Sequence, residues 1–145
     1  MIGDKMTISS FEGYFRFLSN FYPCKIKMGD GIIYPSSEHA YQAFKSKSLS
    51  ERKVISRLSS PQEAKRAGKK LRAREDWEFV KLSVMESIVR IKFTTDPFLK
   101  TKLVNTGDRE LIEGNWWGDT FWGVCKGIGQ NNLGKILMKI RKELQ

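Results

Sequence analysis

Apolar residues recur at helical spacing through most of this chain, and at strand spacing only near its start and around position 111. The clearest helix runs from Trp77 to about Phe93, where Val80, Val84, Ile88 and Ile91 mark the expected buried side behind an Asp76 cap. A second stripe, Leu133, Ile136, Leu137, Ile140 and Leu144, predicts a final helix capped by Asn131 or Asn132. Two shorter helices announce themselves by cap and proline. Ser60-Pro61-Gln62-Glu63 is a capping box opening a helix that stops near Gly68, and Asp96-Pro97 starts one that runs to about Val104. Pro35-Ser36-Ser37 opens a helix from Glu38 to about Lys47, and a short one is expected over Ser50 to Leu58.

Strand signals are shorter. Phe11 to Pro23 is dense in aromatics and predicts extended pieces broken by Gly13, Ser19 and Asn20. Cys24 to Met28 and Ile32 to Tyr34, joined by Gly29-Asp30-Gly31, predict a hairpin. Leu111 to Glu113 is a short strand candidate.

Composition narrows the reading. At 145 residues a single domain, 1–145, is expected, large enough to bury about two thirds of its unfolded surface. No apolar run approaches the roughly 20 residues that span a bilayer, and MIGDKMTISS reads as lacking a leader, so no membrane and a cytoplasmic setting are expected. Two distant cysteines, Cys24 and Cys125, and the single His39 argue against a zinc site of the usual kind. The net charge of +10 suits a polyanionic partner, such as nucleic acid or a phosphorylated small molecule.

The stretch Gly114 to Gly134, GNWWGDTFWGVCKGIGQNNLG, concentrates candidate chemistry. Trp116, Trp117 and Trp122 fall within seven positions around Asp119. Aromatic faces stack on flat rings, and a carboxylate among them can move a proton. An aromatic mini-core on irregular loops is the plainer account of the same residues. Gly129 to Lys135 matches GxxxxGK, but Ile136 stands where a phosphate-binding loop needs Ser or Thr. What remains is an anion seat at a helix start, with Gly127, Gly129 and Asn132 as candidates. Elsewhere, Glu38, Tyr41, Gln42 and Lys45 share one helix stripe, and Trp77 and Lys81 sit four apart on a face of the long helix neighbouring its expected buried side. Lys81 is either a snorkelling surface lysine or, if partly buried, a nucleophile. Six cations between Lys65 and Arg74 form either a solvated face or a phosphate-binding run.

Four blocks, FEGYFRFLSNFYP, YPSSEHAYQAFK, LRAREDWEFVKLSVM and GNWWGDTFWGVCKGIGQNNLGKILMKIR, stand in the order found in the YbiA-like or NADAR family, which this chain resembles from Phe11 to Arg141. The resemblance implies a mainly α-helical α+β fold with a few short N-terminal and central strands. It also implies an N-glycosidase with neither metal nor organic cofactor. The implied substrates carry ribose on an amine nitrogen with phosphate nearby: ribosylamino pyrimidine phosphates of riboflavin synthesis, or ADP-ribosylated guanine, including guanine in DNA.

Carried onto this sequence, the resemblance implies that Lys81 attacks the anomeric carbon and forms a Schiff base, while Glu38 or Asp119 protonates the leaving nitrogen and later activates water. Direct hydrolysis through an oxocarbenium-like state, with Lys81 only holding phosphate or hydroxyls, is the alternative. Trp77, Trp116 and Trp122 are expected to stack on the base or shape the ribose pocket, Asn20 to bind hydroxyls, and Gly127, Gly129 and Asn132 to meet phosphate. Lys45 competes with Lys81. The competing function is a module that binds ADP-ribose or single-stranded nucleic acid without turnover.

Overall fold

A computed structural model describes residues 7–145; the leader reading of the opening decapeptide therefore falls largely outside the described residues. Helices dominate and the strands are few and short, so the fold is mainly helical α+β. The described chain divides into two compact units, residues 20–92 and residues 7–19 with 93–145.

In the unit spanning 20–92, β1 (Pro23–Lys27) and β2 (Ile33–Ser36) form the expected antiparallel hairpin. Gly31 closes its turn at φ +81°, a left-handed conformation open to glycine, and Asp30 Oδ1 accepts the amide of Ile32. The register slips between Pro23 and Ile26, a bulge that brings three residue steps of β1 opposite two of β2. Then come α1 (Ser37–Ala43), α2 (Leu49–Ser56) and α3 (Pro61–Lys70). Each starts on a serine whose hydroxyl accepts a first-turn amide: Ser36 from His39, Ser48 from Glu51, Ser60 from Glu63. Ile26, Tyr34, Ala40, Ala43, Ile55 and Ala64 are buried.

The helix α4 (Trp77–Thr95) starts where predicted. Its first turn is held by the main-chain carbonyl of Asp76, which accepts from Phe79 and Val80, while the Asp76 carboxylate grips Arg74 at 2.6 and 3.0 Å. The buried face differs from the predicted one. Val80, Val84 and Ile91 are only half-buried, whereas Trp77, Met85, Ile88, Val89 and Lys92 are buried. Lysines 81 and 92 occupy this stripe, and their charges hide it from a hydropathy pattern. Lys92 is 2% exposed, and burial holds its ammonium down to a pKa of about 8, with Cys24 drawing it back up.

In the other unit, the aromatic stretch near the start is a 3₁₀ helix, Gly13–Leu18, and not the expected extended pieces. Gly13 enters it at φ +58°, and a three-residue repeat stacks Tyr14 on Phe17 edge to face, 6.5 Å apart. The same period that satisfies these rings rules out a pleated strand. Helix α5 (Pro97–Val104) is capped by Asp96, whose carboxylate accepts from Phe98 and Leu99, and the chain turns at Gly107. Leu111 makes an isolated parallel bridge to Ile8, in place of a full strand. The two-residue strands β3 (Gly114–Asn115) and β4 (Val124–Cys125) pair in parallel, and α6 (Asn132–Leu144) buries Leu133, Ile136, Leu137 and Ile140 as its stripe predicted. Among the described residues no helix is long and apolar enough to cross a membrane.

Candidate active site

The residues expected to carry chemistry fall into two groups, one in each unit. In residues 20–92 the structure brings Asn20, Glu38, Trp77 and Lys81 into one neighbourhood. The carbonyl of Asn20 accepts the Glu38 amide at 3.0 Å, fixing the start of α1, and Asn20 Nδ2 lies 3.6 Å from Met85 Sδ, one turn beyond Lys81 on α4. Glu38 is 8% exposed, and its Oε2 accepts a 2.6 Å hydrogen bond from Gln42 Nε2. Trp77 is buried against Tyr41, ring centroids 5.1 Å apart, so its indole is a wall and not an open stacking platform.

Two lysines reach this neighbourhood. Lys81 follows Trp77 by one turn on the buried face of α4, not on a neighbouring face, and its side chain is only 17% exposed. Its Nζ donates to Glu78 Oε1 at 2.7 Å. Lys45 lies just past the end of α1, half-buried. Burial pushes its pKa down; Glu38 opposes this, Lys69 and Lys81 add to it, and Glu78 opposes it again. Lys69, from the basic run on α3, is thus near enough to be felt at Lys45. The sequence offered Lys69 only as one of six cations, without sign of which would turn inward.

In the other unit the loop between β3 and α6 is organised by its polar side chains. Asp119 Oδ1 accepts the amides of Phe121 at 3.1 Å and Trp122 at 2.9 Å. Asn115 accepts the Asp119 amide and donates to its carbonyl. Trp122 is half-buried and meets Phe121 edge on at 4.8 Å, whereas Trp116 is 80% exposed and stands against Trp117 at 5.5 Å.

At the start of α6, the amide of Asn132, one of the three anion candidates, donates to Phe121, and those of its neighbours Asn131 and Leu133 donate to Gly123 and Trp122. Asn132 Nδ2 also donates to Phe121. Gly129, at φ +154°, packs against the Gly123 carbonyl, and Gly127 turns the loop at φ +78°. Asn131 sits at the cap position in a left-handed conformation, but its side chain holds Leu111 and Glu113 instead of the helix. A surface groove of about 500 Å³, lined by Pro23, Cys24, Lys25, Ile33, Pro35 and Ser56, holds none of the expected site residues.

A buried carboxylate, a half-buried amine and an aromatic wall thus meet within a small, mainly helical α+β fold, groups whose types can exchange protons and add to an electrophilic carbon. The NADAR domain matches residues 10–145, and the chain belongs to that family. The N-glycosidase YbiA of Escherichia coli is 39% identical over 129 residues, covering 87% of this chain and 79% of that protein. A riboflavin biosynthesis protein of Vibrio vulnificus is 42% identical over 132 residues, 89% of this chain but 35% of that longer protein, so the chain spans about a third of it. The NMR structure of E. coli YbiA superposes with a TM-score of 0.83 at 36% identity, covering 96% of this chain and 83% of that one.

Proposed function

We propose that this protein is an N-glycosidase that cleaves the bond between ribose and an amine nitrogen in phosphorylated ribosylamines. The observation that carries the reading is the placement of buried Glu38 and half-buried Lys45 in each other's field, with Lys81 and Lys69 adding positive charge. Names of relatives that match over most of their own length, N-glycosidase among them, support the same chemistry.

In the proposed reaction a lysine amine adds to the anomeric carbon as the ribose ring opens, and the two protons its nitrogen sheds go one to the ring oxygen and one, taken up by the ionised Glu38, to the leaving nitrogen as its bond to that carbon breaks. The resulting Schiff base is released by water, which Glu38 activates, and the lysine recovers its amine. A nucleophilic lysine must shed its proton, and burial favours this at Lys45. We therefore assign attack to Lys45 and keep Lys81, ion-paired to Glu78, as the phosphate or hydroxyl contact, with the reverse assignment as the competing arm. Asn20 would hold ribose hydroxyls beside Glu38. Trp77 would shape the sugar's apolar side. Asp119 would order its own loop.

The riboflavin-related relative favours ribosylamino pyrimidine phosphates. The charge of +10 favours ADP-ribosylated guanine in DNA. The exposed Trp116 and Trp117 favour a second reading, a stacking module for ADP-ribose or single strands without turnover. The deciding experiment offers both substrates to the parent, Lys45→Ala and Lys81→Ala, with and without borohydride. Product release with a reduced covalent adduct, lost in Lys45→Ala, is expected. Binding without product from either substrate would replace the enzyme by the module.

A further inference from the structure

Gly68 lies in the interior of α3, buried, at an ordinary helical position where alanine would serve the helix better. Its reason for being glycine is steric. A methyl group there would collide with Gln42 Oε1 and come within 2.6 Å of its Cδ and 3.0 Å of its Cβ. The flat amide of Gln42 thus rests directly on the backbone of α3.

That seat allows one orientation of the amide. Nε2 points to Glu38 Oε2 at 2.6 Å, and Oε1 is buried without a hydrogen-bond partner. Turning the amide over would give up the hydrogen bond and set a carbonyl oxygen against the carboxylate, two acceptors in contact. Leaving a buried carbonyl unpaired is unfavourable, and native structures tolerate it where something else requires the geometry. Here the requirement is the charge-assisted hydrogen bond to Glu38.

Resting on the glycosidase reading, we infer that Gln42 is a positioning residue: seated on Gly68, it holds the Glu38 carboxylate ionised and aimed for proton transfer. The hydrogen bond fixes the direction of Oε2, and with it the plane in which the carboxylate meets substrate. Gln42 touches no reacting atom; it acts through Glu38. The charged groups sharing this neighbourhood are Lys45 beyond its own helix, Lys69 on α3, and Glu78 and Lys81 on α4.

The test is a titration of the Glu38 side-chain carboxyl, followed by its ¹³C resonance from pH 3 to 8, in the parent, Gln42→Met and Gly68→Ala. Methionine keeps the length and removes the donor. Both variants are expected to move the Glu38 midpoint to higher pH, and the low-pH limb of the rate profile with it, while kcat falls on the order of tenfold or more at nearly constant KM. Gln42→Glu, which sets a second carboxyl beside the first, is expected to move the midpoint further. If Gly68→Ala does not fold, the glutamine variants carry the test. An unchanged Glu38 midpoint in Gln42→Met overturns the inference. A shifted midpoint in a protein that cleaves neither substrate leaves the Gln42 arrangement standing and removes the glycosidase reading instead.

Discussion

His39 stands with Nδ1 2.7 Å from Ser36 Oγ and Nε2 3.0 Å from the carbonyl of Leu58. Because a carbonyl only accepts, Nε2 carries the proton and Nδ1 accepts from the serine hydroxyl, which in turn caps α1 by accepting the His39 amide. The ring is neutral by construction. Burial lowers its pKa, against weaker opposition from the Leu58 hydrogen bond and Glu63. The unfolded chain therefore binds a proton near its ordinary value of 6.5 while the folded one does not. Stability is expected to be full above pH 6.5, to fall as pH drops from there toward the folded value, and then to level off. Urea midpoints between pH 8 and 5 should show this slope, and His39→Gln should flatten it.

Asp119 distinguishes two roles by charge. If its work is to hold the loop, Asp119→Asn keeps the Oδ1 acceptor for Phe121 and Trp122 and should retain activity within a few-fold, whereas Asp119→Ala should lose it with the loop's order. If it moves a proton, the asparagine variant should fall by about 10²–10⁴. Steady-state rates of the two variants decide.

Asp96 offers a plain energetic check. Its carboxylate takes two first-turn amides of α5, and Asp96→Ala is expected to cost about 1 kcal/mol, within the usual range for helix caps. Denaturant unfolding at unchanged m-value would measure it.

Gly129 combines a strained φ with contact against the Gly123 carbonyl. Gly129→Ala is expected to destabilise by at least about 2 kcal/mol, since backbone strain and overpacking both act. Thermal unfolding compared with Gly127→Ala, whose added methyl meets nothing within 4 Å, separates the clash from the conformation.

Local signals were legible and long-range ones were not. Ser60 with Pro61, and Asp96 with Pro97, announced their helices because a cap and a fixed φ act within one turn. The hairpin followed from Gly29-Asp30-Gly31 for the same reason. Phe11 to Pro23 misled because strand propensity describes how rings fit a pleated surface, and these rings meet one another at helical spacing instead. The face of α4 was read one step askew because Lys81 and Lys92 lie on it.

In the site, the stripe Glu38, Tyr41, Gln42, Lys45 was visible as spacing. Its meaning depended on Trp77 and Gly68, which the chain delivers from other helices. At the start of α6 the sequence shows which amides exist and not which carbonyls hold them, as Phe121 and Trp122 hold those of Asn132 and Leu133.

Lys92 makes the interior of its unit respond to alkali in an uncommon direction. Opening that interior returns the amine to water, where it keeps its proton up to about 10.5 instead of about 8. Each opening in that interval takes up a proton from the solvent, so openings become rarer as pH rises through it. Amide hydrogens nearby face two opposed trends, faster exchange chemistry in base and fewer excursions that expose them. Their exchange should rise less steeply with pH than that of amides in α6, and the difference would read the buried amine without touching it.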